Sequence, residues 1–196
     1  MEKLLGNLTE GLVFVISAPA GTGKTTLVKM LCDEFISVAD SISCTTRPPR
    51  PGEINGKDYY FLKKEDFEAK IAAGEFLEYA KVFDHYYGTL KEHVVQEQKK
   101  GKHVVLVIDT QGAMQLKEKK FPAIFIFISP PNFQELRERL FKRQTEHPEL
   151  IEQRLSWAKH EMTMMINYDY HMVNDNLARA YEILRSIFIA EEHKTR

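Results

Sequence analysis

Leu12-Val13-Phe14-Val15-Ile16-Ser17-Ala18-Pro19-Ala20-Gly21-Thr22-Gly23-Lys24-Thr25-Thr26 is an apolar run that empties into a glycine-bearing turn and continues in helix-forming residues. It reads as a strand, a phosphate-binding loop and a helix. Phosphate oxygens need several donors converging on a small space, and Gly21 and Gly23 let the backbone turn tightly and present bare N–H groups. The helix that follows adds the positive end of its dipole. Lys24 is placed to set an ammonium on the outer phosphates, and the Thr25 hydroxyl to ligate a magnesium ion bridging them. The pattern G-x-x-x-x-G-K-[ST] asks for glycine at position 18, where this chain carries Ala18. Alanine fits that turn position provided its φ is negative. An ordinary glycine-rich turn is the plain alternative, and the Gly-Lys-Thr-Thr run between strand and helix speaks against it.

Outward from this loop, the length of 196 residues allows one domain with inserted subdomains. Such a chain buries about 70% of its unfolded surface. Lys and Arg number 27 against 28 Asp and Glu, a net charge of −1, so no global basic field gathers nucleic acid. Phosphate chemistry must then come from local arginine clusters. Two cysteines, Cys32 and Cys44, are too few for a disulfide framework, and no paired Cys-x-x-Cys points to zinc. A reducing cytoplasm fits. Met1–Glu10 lacks a signal-peptide pattern, and no run of eighteen apolar residues suggests a membrane span. The seven histidines are scattered, without a metal-binding spacing, and read as surface or core residues.

Apolar runs at Leu12–Ser17, His103–Ile108 and Ala123–Ser129 alternate with helix-like sequence, which predicts a mainly parallel sheet with crossover helices. The helices are expected at Thr25–Phe35, Leu90–Lys100, Gln111–Lys119, Asn132–Arg143, Pro148–Ile166 and Asp175–Glu192. Asn132 precedes Glu135 as a capping box does, and Asp175 follows the short strand Tyr170–Val173. Between residues 41 and 89 the texture changes. Thr45-Thr46-Arg47-Pro48-Pro49-Arg50-Pro51-Gly52-Glu53 is turn-rich and basic, with short strands at Asp58–Leu62 and Glu75–Phe83 around a helix at Lys64–Ala73. This is expected as an insertion on the sheet's edge. A second polar region carries Arg137, Arg139, Lys142, Arg143 and Arg154.

One phosphate loop leaves the second substrate open, since ATPases, GTPases and small-molecule kinases share it. Ser43-Cys44-Thr45-Thr46-Arg47-Pro48-Pro49-Arg50-Pro51-Gly52-Glu53 and Asn55-Gly56-Lys57-Asp58-Tyr59-Tyr60-Phe61 resemble the acceptor site of guanylate kinases. So do Glu75-Phe76-Leu77-Glu78, Tyr86-Tyr87-Gly88-Thr89, Ile108-Asp109-Thr110-Gln111-Gly112 and Val173-Asn174-Asp175. The resemblance, closest to bacterial members, spans nearly the whole chain in the right order. It implies an α/β P-loop kinase with a parallel core sheet flanked by helices. In it, residues 1–196 form one domain, 41–89 an inserted GMP-binding region and 131–163 a helical lid. The implied reaction is ATP + GMP to ADP + GDP with Mg²⁺; dGMP is a further expected acceptor. Neither nucleic acid nor membrane is an expected partner, and the number of subunits is not defined.

The roles implied by the resemblance follow the phosphates and the base. Ala18, Pro19, Ala20, Gly21, Thr22, Gly23, Lys24, Thr25 and Thr26 hold ATP, with Thr25 on the metal and Asn174 beside the adenine. Arg47 and Arg50 flank two prolines that fix the backbone, so two guanidinium forks are expected to face one acceptor phosphate, joined by Tyr59 and Tyr87. Guanine offers donors at N1 and N2 and an acceptor at O6. Glu78 is implied as acceptor for the donors, with Ser43 donating toward O6 and Thr89 and Asp109 holding the nucleotide; Glu75, three residues away, ranks second. Lys24, Arg139, Arg143 and Arg154 are implied as the catalytic cations, the three arginines on the lid. Plain i, i+4 surface pairing, such as Glu135 with Arg139, is the alternative for those arginines. Cys44 is assigned no chemistry.

One departure stands out. Many family members end the strand before Gln-Gly with two acids, Asp-Ile-Asp or a close variant, where this chain has Val107-Ile108-Asp109. Strand alternation puts 107 and 109 on one face, so an apolar side chain is expected where a second carboxylate would sit, which bears on magnesium. Two rivals remain at this point: a guanylate-kinase-like module binding phosphopeptides, and a P-loop kinase acting on a sugar phosphate. The intact phosphate loop speaks against the first, and Ser43, Glu78 and Thr89 against the second.

Overall fold

The computed structural model describes residues 3–82, 84–142 and 148–195. Its central sheet is parallel throughout, in the order β2 (Val38–Asp40), β7 (His103–Val107), β1 (Val13–Ser17), β8 (Ile124–Ser129), β9 (Tyr170–Val173). Strand β1 is buried along its whole length because it lies in the middle with helices over both faces. Phe14 and Ile16 point to one face, where Leu27, Val28 and Leu31 of α1 (Lys24–Glu34) meet Ala180, Leu184 and Phe188 of α7 (Leu177–Glu192). Val13 and Val15 point to the other, against Val94 of α3 (Lys91–Lys99) and Ala113 and Leu116 of α4 (Thr110–Glu118). Phe14 stacks on Phe188 at 3.6 Å between ring centroids.

Strand β2 is an addition to the sequence reading. Three residues with one buried side chain are too short to show a period, and their strand form comes from pairing with His103–Val105 of β7. The start of α7 is also corrected. Asn176, not Asp175, caps it: Asn176 has extended backbone and its side chain accepts from the Arg179 N–H at 3.0 Å. Asp175 pairs instead with the Arg179 guanidinium.

Residues 44–90 build a second sheet in the order β4 (Tyr60–Phe61), β3 (Cys44–Thr45), β6 (His85–Leu90), β5 (Phe76–Val82). Two of its strands match the expected pair; β6 pairs antiparallel with β5 along its length and with β3 over two residues, and β3 also pairs parallel with β4, none of which local composition announces. Helix α2 (Lys64–Ala72) covers it through Phe67, stacked between Phe76 and Tyr86. Helices α5 (Phe133–Lys142) and α6 (Pro148–Thr163) form a hairpin around Leu136, Leu140, Ile151, Leu155 and Ala158, with Ala20 of the phosphate loop packed against it.

His103 shows what one scattered histidine does. Buried, it accepts from the Leu12 N–H through Nδ1 and therefore donates through Nε2 to Glu192, 2.5 Å away. Glu192 also accepts from the Gly6 and Asn7 amides, so the pair ties the N-terminal segment, β1, β7 and α7 together.

Candidate active site

Strand β1 delivers the phosphate loop to the C-terminal edge of the sheet at the point where the chain runs first to one side of β1 and later to the other. Ligands of open parallel sheets bind at such switch points. Gly21 and Gly23 have φ of +87° and +101°, which L side chains rarely adopt, so both glycines are required by geometry. Ala18 has no such demand: among the described residues Lys120 is the only non-glycine at positive φ, so alanine there is unstrained. Lys24 begins α1 and its ammonium donates to the carbonyls of Ala18 and Pro19, curling over the loop. Leu136 and Leu140 of α5 press on the loop from outside.

A cleft of about 460 Å³ runs from this loop to the second sheet. Its walls bring together Ala18, Ala20, Gly21, Gly23, Lys24, Thr25 and Thr26 at one end and Ser43, Arg50, Tyr59, Glu78 and Tyr87 at the other, with Asp109 between. Most of the residues singled out by motif, distant along the chain, therefore face one space. Val107 faces it too, half-buried, and packs on the core where a second acid was missing.

Other expected residues stand off the cleft wall. Arg47 is the clearest difference from the two-fork expectation: its fork is taken by both Glu53 oxygens, at 3.0 and 2.8 Å, and it lies 5.4 Å from the Tyr59 ring centroid. Glu53 also accepts from the Arg50 N–H, so one acid pins the proline-rich turn, and these bonds hold its carboxyl below the ordinary range. Thr89 is buried beside Glu78. Asn174 is buried under the loop, donating to the Thr22 carbonyl at 2.7 Å. Arg139 bonds Glu135 one turn back, the plain i, i+4 pair, and also the Asn174 carbonyl at 3.0 Å. Arg154 is half-buried on α6, close enough to Glu161 to act on its charge. Arg143 lies outside the described residues.

Glu78 and Glu75 are separated decisively. Glu75 is paired with Lys70 at the surface, 46% of its side chain exposed, whereas Glu78 is 3% exposed, on the same side of β5 as Phe76 and Ala80. Its Oε1 has no hydrogen-bond partner among the described residues. Burial lifts its carboxyl to about 7, Asp109 adding to the rise and Thr89 opposing it. Gly112, at the start of α4, is what lets the carboxylate lie there, because a Cβ at that position would stand 2.3 Å from Oε2. No periodicity marks Gly112 in the sequence. Asp109 caps the same helix, accepting from the Gly112 N–H at 2.9 Å. Two residues on the wall, Trp157 and Glu161 of α6, were not anticipated. In the sequence they look like ordinary members of an amphipathic helix. Burial also pushes both thiols, Cys32 and Cys44, to about 11, so neither is activated.

The raised pKa of Glu78 makes the stability of the protein depend on pH. Between about pH 4.5 and 7 the folded chain keeps the Glu78 proton that the unfolded chain has released, so stability falls as pH rises through that window. Relative to Glu78→Gln, the unliganded protein is expected to lose on the order of 3 kcal/mol between pH 4.5 and 8, read from urea melts. Parallel pH curves for the two proteins would show that this carboxyl is not held neutral by burial.

A phosphate loop at the switch point of a parallel sheet, facing across one cleft a small sheet with a buried acid, defines a P-loop kinase of α/β architecture, a transferase of phosphoryl groups. A family model described as guanylate kinase matches residues 11–191. The chain is 57% identical over 189 residues to the guanylate kinase of Protochlamydia amoebophila, covering 96% of this chain and 95% of that one. It is 48% identical to that of Caldanaerobacter subterraneus subsp. tengcongensis, with coverage of 93% and 89%. The crystal structure of guanylate kinase from Anaplasma phagocytophilum superposes with a TM-score of 0.78 at 34% identity, covering 95% of this chain and 88% of that one. The chain belongs to the guanylate kinase family. Among the described residues no helix is long and apolar enough to cross a membrane.

Proposed function

We propose that this chain, as a guanylate kinase, transfers the γ-phosphoryl group of magnesium-bound ATP to the phosphate of GMP, giving ADP and GDP. The observation that carries this reading is the pairing in one cleft of Lys24 and its loop with the buried Glu78, whose Oε1 awaits a donor. Guanine presents two N–H groups on one edge, and an ionised carboxylate answers both; adenine offers a mismatch there. Ser43 donates toward O6, and Thr89 and Asp109 help hold the nucleotide. Arg50, Tyr59 and Tyr87 hold the acceptor phosphate, and Arg47, released from Glu53, joins them. Residues 41–89 form the acceptor region and 131–163 the lid.

In the transfer an oxygen of the GMP phosphate forms a bond to the γ-phosphorus as the bond to the β–γ bridging oxygen breaks, and ADP leaves with that electron pair. The attacking oxygen is already anionic, so no general base is demanded. The protein's work is alignment and charge neutralisation. Lys24 leaves the carbonyls of Ala18 and Pro19 for the donor phosphates, and the loop amides converge on them. Arg139, Arg143 and Arg154 close with the lid, excluding water from the γ-phosphate. Asn174 lies toward the adenine side. The donors around the phosphate end are all hard oxygens, Thr25 hydroxyl among them, which suits magnesium. Bound there, that ion spreads the charge of the phosphates. We place the enzyme in the cytoplasm on its cysteine usage, and dGMP within its acceptor range.

The test is ADP release with GMP, AMP, CMP and UMP as acceptors. GMP is expected to exceed AMP in kcat/KM by roughly 10³-fold or more, as hydrogen-bonding sites discriminate. Equal use of AMP would remove the guanine reading.

A further inference from the structure

Among the described residues the buried and half-buried acids near the core are, with two exceptions, answered by nearby donors: Glu192 by His103 and two amides, Asp109 by Gly112 and Gln111, Glu191 by Tyr170. The exceptions lie on opposite ends of the same cleft. Glu78 keeps Oε1 for the acceptor. Glu161, 5% exposed, lines the phosphate end with Lys24 and Thr25, and among the described residues it makes no hydrogen bond and no ion pair. A carboxylate removed from water without a partner is costly, so it marks a place where a partner arrives.

The surroundings narrow that partner. The charges of Lys24 and Arg154 favour the ionised Glu161 and that of Asp109 opposes it, and burial lifts its carboxyl to about 7. Phosphates alone would be repelled from such a group. The cation that accompanies them is hydrated, and its coordinated waters are donors that a carboxylate accepts; magnesium keeps several waters rather than taking an all-protein cage. Val107 presents no oxygen on this wall, and of the acids that line it, Asp40 among them, Asp109 and Glu161 are the two whose charges feel Lys24. Helix α6 carries Arg154, Trp157 and Glu161 at i, i+3 and i+7, one face, so the lid helix that brings an arginine to the site also brings this acid.

We propose that Glu161 is a positioning residue for the donor's magnesium, accepting hydrogen bonds from water on the ion and thereby tying the lid helix to the metal-bound nucleotide. This rests on the reading of the cleft as a magnesium–ATP site. The partner is a hydrated divalent cation, and the charge of Glu161 is what it needs.

Trp157, the single tryptophan of the chain, lines the same cleft one turn away, so its fluorescence reads binding without turnover. The experiment titrates the intact protein with a non-transferable ATP analogue in EDTA and in excess Mg²⁺, and takes the ratio of the two Kd values as the gain due to metal. Glu161→Gln is expected to reduce that gain about 10- to 100-fold, the range for groups that hold metal-bound waters, with Kd in EDTA unchanged and Tm not lowered. Glu161→Asp, which keeps the charge, retains more of the gain than Glu161→Gln. A gain equal to wild type in Glu161→Gln, or equal losses in both variants, overturns the role of Glu161 while leaving the cleft's function intact. Absence of any gain in the wild type would instead overturn the magnesium–ATP reading beneath it, and this inference with it.

Discussion

Glu78→Gln is expected to lower kcat/KM for GMP by up to about 10⁴-fold while the protein still folds and still binds ATP. The amide sets an N–H against the guanine N–H groups in a site already closed to water, and unpaired buried donors are what make hydrogen-bonding sites discriminate so strongly. Folding should not suffer, because the change removes a buried acid whose Oε1 has no partner among the described residues. The companion Glu75→Gln breaks only a surface ion pair with Lys70, and such pairs contribute at most about 1 kcal/mol. Steady-state kinetics with GMP, beside melts of both variants, check this; a severe Glu75→Gln with a mild Glu78→Gln would reverse the assignment. The same logic extends to Gly112→Ala, whose methyl group would displace the Glu78 carboxylate without touching the phosphate loop.

Lys24→Ala is expected to reduce kcat by about 10²- to 10³-fold with every acceptor, the usual loss when one preorganised group facing developing charge is removed. Its effect differs in kind from that of Glu78→Gln, because Lys24 stands at the donor end and is blind to the acceptor base. In the unliganded protein its ammonium rests on the carbonyls of Ala18 and Pro19, so the side chain is already over the loop and little reorganisation precedes its engagement. Turnover at saturating ATP and GMP, then at saturating ATP with dGMP, gives the measurement. Near-normal turnover would take the phosphate loop out of the chemistry.

The two variants mark the two kinds of legibility in this chain. The phosphate loop could be read directly because its chemistry is local: strand, glycines, lysine and helix start are contiguous, and Gly21 and Gly23 take the positive φ that their residue type allows. The central strands were legible for the same reason, since full burial of β1, β7 and β8 shows as unbroken apolar runs. The two acids are not separated by the strand pattern, since Glu75 falls inside the expected strand Glu75–Phe83 and ranks second only through the resemblance; the structure starts β5 at Phe76 and buries Glu78 beside Phe76 and Ala80. Where an element exists only by pairing, as β2 and β3 do, too few residues carry the pattern for a period to emerge, and the six residues of β6 show no alternation of buried and exposed positions.

Contacts between distant segments are a different matter. The hold of Glu53 on Arg47, the space that Gly112 leaves for Glu78, the lodging of Asn174 beneath Thr22 and the burial of Glu161 depend on distances across the fold. Glu161 is one charged residue among many on an amphipathic helix, and only the packing of α5 and α6 against the phosphate loop turns it into the cleft. Residue type and spacing along a chain set backbone propensity and the chemical menu, because those energies are local. Which side chain meets which, and which carboxylate is stripped of water, is set by packing, because burial is a property of all the segments that surround a group at once.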